Sequence, residues 1–349
     1  MKPRNMQLIL LIGGALTLSG ALITSCKKSS SGGGGGGTKV VVPTNPGGYD
    51  SSAQIQPSSL LSYFPFNGSF NDTKGSLVAQ IPSNTGYSAP TFGTGMTSGT
   101  QAYQGSGNSY LLVPLGSEAS MFAGTGFQSF TVSLWINEPQ EPIYAPSGYY
   151  TAGQGPEGVF FMYDAGSPAH QDLLHMDIEP FAPTTQDTMS LNAGFVATGL
   201  TTTGAYAGST PGGTEGVVPN GRLDTAIKKW THVVMTYQAS SSDYTLYENG
   251  TAVFANSAWS TYAAGPAPVQ ILTGPTGGTG SEGLGPLNYT PTPAGFVIGA
   301  WCGNAGVGGA DTSQYTGSFK GALQHLRIYN TALDASDVKS LYILEQVGL

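Results

Sequence analysis

From about residue 60 onward the apolar residues recur mostly at every second position. In Phe130-Thr131-Val132-Ser133-Leu134-Trp135-Ile136, extended geometry sets Phe130, Val132 and Leu134 on one face and Thr131, Ser133 and Trp135 on the other. Both faces carry bulk, as expected where one side packs on a second sheet and the other lines a groove or lies under a loop. Residues 230–237 are rich in strand formers, and 244–247 make a second short run. Asn249-Gly250 tolerates positive φ at both central positions of a type I′ turn, so it closes a hairpin with a third strand over 251–255. Phe319, Leu323, Leu326 and Ile328 repeat the two-faced pattern near the C-terminus. Helical spacing is confined to 332–344, where Asp334 or Ser336 caps a helix with Val338, Leu341 and Tyr342 as its apolar stripe. Many short strands separated by turn signals predict an all-β antiparallel sandwich with a short C-terminal helix.

The order of the segments adds a family resemblance. Leu60-Leu61-Ser62-Tyr63-Phe64-Pro65-Phe66-Asn67-Gly68 followed by Asn71-Asp72, the strand ending Val113-Pro114, Ser129 to Trp135, Trp230-Thr231-His232-Val233 leading to Asn249-Gly250, and Arg327-Ile328-Tyr329-Asn330 follow one another along the chain. This series resembles the laminin-G-like, concanavalin A-like jelly roll of the lectin and glucanase superfamily. The resemblance covers about 60–344 as one domain, and it implies a β-sandwich without fixing a function.

The start of the chain carries a different signal. Met1 to Arg4 are basic, residues 8–21 are apolar, and Ile23-Thr24-Ser25-Cys26 end in cysteine. This resembles a bacterial lipoprotein leader, in which Cys26 would carry the lipid; the apolar run is too short and too early to be a structural membrane span. The serines and glycines that follow, including the run 32–37, are similar to the tethers of Bacteroidota lipoproteins. The expected organisation is therefore a leader over 1–25, a Ser/Gly/Pro-rich tether over 26–57 whose composition cannot bury enough surface to order itself, and the jelly roll over 58–349. A lipid anchor implies the cell envelope, with Lys27 after the cysteine favouring the outer membrane and a surface-exposed position as an extension of that reading.

Charge narrows the partners. The chain holds 12 Lys and Arg against 20 Asp and Glu, and Lys2 and Arg4 fall in the leader, so the rest is acidic and lacks a basic patch for nucleic acid. Of the two cysteines, the lipid claims Cys26, which leaves Cys302 as an expected buried thiol.

Three insertions, 138–157, 180–222 and 256–293, exceed ordinary connections, and long loops in a compact domain are functional or disordered. Tyr149, Tyr206 and Trp259 sit in them among other aromatics, and flat aromatic faces stack on sugar rings. The titratable cluster is Leu174-His175-Met176-Asp177-Ile178-Glu179. Alternation sets His175, Asp177 and Glu179 on one strand face, roughly 7 Å apart, with Leu174, Met176 and Ile178 toward the core. It resembles the E-x-D-x-E strand of laminarinase-type glycoside hydrolases, which would make Asp177 and Glu179 catalytic, but His175 stands where a retaining mechanism needs a nucleophilic carboxylate. Relatives that hold structural calcium imply Asp72 with Gly75 nearby, and Gln324 where an aspartate would begin the last strand. His232 and His325 read as strand residues.

The preferred expectation is a noncatalytic carbohydrate-binding or adhesive envelope lipoprotein. Its ligand, a carbohydrate or a cell-surface protein, would meet His175, Asp177, Glu179, Tyr149, Tyr206 and Trp259, and the membrane contact would be the lipid on Cys26. A glycoside hydrolase using the His175/Asp177/Glu179 strand, and a structural or protein-binding module without a sugar site, are the alternatives.

Overall fold

The alternating stretches fold as strands: β1 (Leu60–Phe64), β2 (Thr91–Thr94), β3 (Gln101–Gln104), β4 (Leu111–Pro114), β5 (Phe130–Asn137), β6 (Glu157–Asp164), β7 (Asp172–Glu179), β8 (Thr188–Phe195), β9 (Gly221–Ala226), β10 (Thr231–Gln238), β11 (Asp243–Glu248), β12 (Thr251–Val253), β13 (Gln270–Ile271), β14 (Pro293–Ile298), β15 (Gly317–Ser318) and β16 (Ala322–Tyr329). One helix, α1 (Ala335–Glu345), follows. This computed structural model describes residues 41–83, 86–139, 157–164, 172–179, 188–195, 221–241, 243–253, 270–271, 286–287, 293–307 and 317–349. Val42–Leu349 cluster as one unit.

Two sheets face each other. The first runs β12-β11-β10-β5-β16-β3-β2, with β1 added to β16 and β13 to β11; the second runs β4-β14-β6-β7-β8-β9, with β15 added to β6. Among the described strands every pair is antiparallel except β15 with β6. The main core fills the space between them, with Phe130, Val132 and Leu134 from one sheet and Leu174, Met176 and Ile178 from the other. Strand alternation thus decided which residues meet, as burial of one face of each sheet requires.

The β11–β12 hairpin forms where expected. Asn249 and Gly250 both take positive φ, 51° and 70°, and Glu248 pairs with Thr251. Asn249 also fastens the turn to β10: its N–H donates to the His232 carbonyl at 2.8 Å, and its side-chain oxygen accepts from the His232 N–H at 3.1 Å.

The outer face of the first sheet is closed by α1. Asp334 caps the helix by accepting from the Asp337 N–H at 2.8 Å, so the helix starts later than residue 332. Val338, Leu341 and Leu344 pack on Val234, Tyr247, Tyr329 and Leu60 in a cluster that shares no member with the main core. Beneath the helix lies a polar layer. Glu345 accepts from Trp135 Nε1 at 2.7 Å and from Arg327 Nε at 2.8 Å, the Arg327 guanidinium lies 3.8 Å over the Tyr63 ring, and Trp135 stacks on Tyr342 at 5.6 Å. The second face of β5 therefore lies under a helix, not along a groove.

One expectation needs correction. Composition assigned residues up to 57 to an unordered tether, yet 43–57 form a strap across α1. Gly47 N–H donates to Ser340 Oγ at 2.9 Å, Tyr49 Oη to Asp337 at 2.6 Å, and Gln56 Nε2 to Asp337 at 2.9 Å. Ile55 is buried in the helix cluster, and Arg327 Nη2 donates to Ser52 Oγ at 3.0 Å. A segment of this composition buries too little of its own surface to order itself; the strap instead completes a surface built by others. Cys26 and the leader lie outside the described residues.

Candidate functional site

The second sheet turns its outer face away from the core, and there the structure sets chemistry-bearing residues of β6 and β7 beside the segment that follows β14. On β7, His175 and Asp177 occupy this face, with Leu174, Met176 and Ile178 in the core, as alternation required. Glu179 ends the strand opposite Ser190 of β8. Asp177 lies in register with Gly158 of β6, and His175 with Phe161.

A short segment after β14 covers part of this face. Gly299 turns the chain with φ 90°, and the Ala300-Trp301 backbone then crosses Gly158 so closely that a Cβ there would stand 2.4 Å from the Ala300 carbonyl carbon and 2.5 Å from the Trp301 nitrogen. Only glycine permits this approach. The Asn304 N–H and the Ala305 N–H both donate to the Trp301 carbonyl, at 3.0 and 3.3 Å, which folds the segment into a turn. The Trp301 ring rests 4.7 Å from Phe161, and Phe161 stacks on His175 at 6.2 Å with an interplanar angle of 25°. Trp301 and Tyr87 are half-buried against one cluster that includes Tyr110, Phe161, Tyr163, Val297 and Cys302. Tyr87 meets Tyr110 edge-on at 5.2 Å. Cys302 is a buried thiol, as expected.

Burial divides the roles. Asp177 is 0% exposed and His175 6%, so both lie under the surface while Trp301 reaches it. Burial pushes the Tyr163 phenol up to about 12. Glu157, next to Gly158, is also buried; burial pushes its carboxyl up, and Lys320 works against that shift. Lys320 Nζ lies 2.9 Å from one Glu157 oxygen, and the Lys320 N–H donates to the other at 3.0 Å. Tyr149, Tyr206 and Trp259 lie outside the described residues. Trp301 was missed by sequence reasoning because its segment is short and carries no turn signature stronger than its many glycine-rich neighbours.

The expected cation ligands separate. Gln324 Oε1 accepts from the Met96 N–H at 2.8 Å and its amide donates to the Gln101 carbonyl at 2.9 Å, so both its polar atoms serve β2 and β3. Asp72 accepts from the N–H groups of Tyr63 and Lys74, each at 2.8 Å, and from Ser62 Oγ at 3.0 Å. Gly75 does stand beside Asp72, and the third group there is Glu118, from the 3-10 turn Gly116–Phe122. A Cβ on Gly75 would lie 2.8 Å from Asp72 Oδ2, 3.1 Å from Glu118 Oε2 and 3.4 Å from the Leu61 carbonyl oxygen. Glu118 Oε1 accepts from Ser76, while Glu118 Oε2 is buried without a hydrogen-bond partner among the described residues. Three oxygens, two of them carboxylate, thus face the same space. Calcium takes six to eight oxygens, and among the described residues no group of three or more His, Cys, Asp or Glu side chains could hold a metal ion. Asp72, Glu118 and the Leu61 carbonyl would therefore hold one only with further oxygens, tying the loop over 72–76 to β1 and the 3-10 turn.

Under α1, Ser133 Oγ and His232 Nε2 share a hydrogen bond of 2.8 Å. The pair resembles a nucleophile and base only superficially. Glu345 Oε2 approaches the same Nε2 at 3.9 Å, whereas a triad places its acid on Nδ1, and His232 is fully buried. Burial pushes the His232 imidazole down to about 4 against the pull of Glu345. Burial alone would raise the Glu345 carboxyl, but Arg327, with His325 and His232, holds it below its ordinary value. His325, hydrogen-bonded to Tyr63 at 2.7 Å, is likewise lowered by burial. These groups build the scaffold.

No family model and no curated protein matches the chain. Among solved structures it is similar to domain 4 of a GH43 extracellular arabinanase from Geobacillus stearothermophilus in complex with arabinotriose, at 17% identity and a TM-score of 0.44 over 81% of this chain and 98% of that one. It is also similar to Trypanosoma rangeli sialidase, at 13% identity and a TM-score of 0.43 over 83% of this chain and 33% of that one. A third likeness, to the botulinum neurotoxin type G receptor-binding domain, has 11% identity and a TM-score of 0.39 over 82% and 51%. The chain thus spans about a third of the sialidase and half of the receptor-binding domain. The sandwich rests on the strand pairing described above, not on these likenesses.

Proposed function

We propose that this chain is a lipid-anchored protein of the cell envelope, held through Cys26 and directed to the outer membrane, whose jelly roll binds carbohydrate noncovalently on the outer face of the second sheet. The observation that carries the reading is the aromatic series Trp301, Phe161, His175, in which the indole lies tilted by 43° against Phe161 and Phe161 stacks on His175. A half-buried indole is held from behind by a buried ring and an imidazole, over a glycine that lets its backbone lie flat on the sheet. A rigid aromatic of this kind stacks on the apolar face of a sugar at low entropic cost. His175 and Asp177 lie under the platform, so they act as its support, and no hydrolytic step is part of the proposal. Calcium in the cradle of Asp72 and Glu118 is proposed as a structural ion remote from the platform residues in sequence.

The test is a glycan array on the full chain, followed by calorimetry on any hit with the wild type and Trp301→Ala. The expected result is binding without release of reducing sugar, weakened roughly tenfold or more in the variant, since a buried-edge tryptophan is a typical hot spot. No glycan bound by the wild type, or unchanged affinity in Trp301→Ala, would sink the reading. Anchoring is tested separately by Cys26→Ser, which should move the protein from the membrane to the soluble fraction.

A further inference from the structure

We infer that the strap over 43–57 is a releasable latch, which locks α1 on the first sheet and whose release frees α1 while the sandwich stays folded. The strap adds no strand to either sheet among the described residues. Its grip is on the helix and on what the helix covers. Asp337, in the first turn of α1, accepts from both Tyr49 and Gln56. Gly47 reaches Ser340, and the Ser52 N–H donates to the Leu349 carbonyl at 3.1 Å. From beneath, Arg327 donates to Ser52 Oγ at 3.0 Å. Two donors from one strap on a single carboxylate couple its two halves, so losing one contact loosens the other.

Three features make the latch separable. The apolar contacts of strap and helix, Ile55 with Val338, Leu341 and Leu344, belong to a cluster distinct from the main core, so their loss removes no member of that core. Elements on such satellite clusters open below the global unfolding free energy. The joint between strap and β1 is Gln56, a non-glycine residue at φ 44° whose carbonyl accepts from the Ser59 and Leu60 N–H groups. That left-handed conformation is disfavoured for a side-chain-bearing residue and is relieved when the strap swings away. Finally, the strap sits at the N-terminal edge of the folded unit, at Val42, so a pull on the preceding chain acts on the latch first.

Hydrogen exchange read by mass spectrometry on the full chain tests this. The strap variants are Tyr49→Phe with Ser52→Ala and, separately, Ile55→Ala, which leave every helix residue unchanged. Exchange over 335–345 should accelerate roughly thirtyfold in the double variant, which loses the net contribution of two hydrogen bonds, and by at least as much in Ile55→Ala, which empties a buried apolar site, with exchange in β5 and β10 unaltered. Unchanged exchange in α1 would overturn the latch by making the strap passive. A rise in β5 and β10 by the same factor as in α1 would overturn it by making strap, helix and sheet one cooperative unit.

Discussion

Acidification should expose the cost of burying His232. Its imidazole is fully buried, shares Nε2 with Ser133, and has Nδ1 without a partner among the described residues. Two effects compete: burial disfavours the charged ring, and the Glu345 carboxylate at 3.9 Å favours it. Burial wins, and the folded-state value falls to about 4 from an ordinary 6.5. The unfolded chain therefore takes up this proton first on acidification. Stability associated with neutral His232 is present in full above about pH 6.5 and is lost as pH falls toward about 4. At about 1.4 kcal/mol per pH unit, that window corresponds to about 3 kcal/mol. His325, also lowered by burial, acts in the same direction, while Glu345, held low, loses its contribution only at more acidic pH as it protonates. Urea unfolding from pH 7 to pH 4, followed by tryptophan fluorescence, should show the wild type losing about 3 kcal/mol more than His232→Gln, in which the titrating group is gone. The variant's lower stability at pH 7 is expected and does not enter the comparison. A constant gap between the two proteins across this range, or an imidazole NMR titration of His232 at or above its ordinary value, would refute the argument and show that Glu345 outweighs burial.

Further outcomes follow from other contacts. Glu345→Gln leaves the Arg327 guanidinium buried without its counter-charge, which should cost about 3–5 kcal/mol in urea unfolding at neutral pH; a loss under 1 kcal/mol would mean that Ser52 and Tyr63 suffice for the guanidinium. Gly158→Ala drives a methyl into the Ala300-Trp301 backbone and should cost about 1–3 kcal/mol, with a changed near-ultraviolet circular dichroism signal as Trp301 shifts; a wild-type spectrum would contradict the close approach. Calcium at millimolar concentration should raise the melting temperature of the wild type and not of Glu118→Gln. A wild type indifferent to both calcium and chelator would remove the ion from the proposal.

What the sequence made legible depends on how local the cause is. The two faces of β5 and of β7 follow from alternation alone, because a period of two is a property of the extended backbone, and the Asn249-Gly250 turn follows from which residues tolerate positive φ. The helix cap at Asp334 is equally local. The strap was illegible because its order comes from Asp337, Ser340 and Arg327, far along the chain. Trp301 was missed for a related reason: its placement depends on the absence of a side chain at Gly158 in another strand. The surroundings of Asp72 show the same limit: the family resemblance implied Gln324 of the final strand as its companion, and the fold sets Glu118, from a 3-10 turn after β4, beside it instead. The aromatics of the three long insertions fall outside the described residues, so the reading rests on Trp301 and its support.

The corner where the strap meets α1 also bears on how the proposed anchor would orient the domain. The Ser52 N–H bonds the Leu349 carbonyl, and Tyr49, Ile55 and Leu349 pack with α1 on Val234, Tyr247 and Tyr329 of the first sheet. The indole platform lies over the outer side of the second sheet, across the full thickness of the sandwich. Were the chain held through Cys26 as proposed, strap and helix would form the mount, and the opposite side would be the one presented to a ligand.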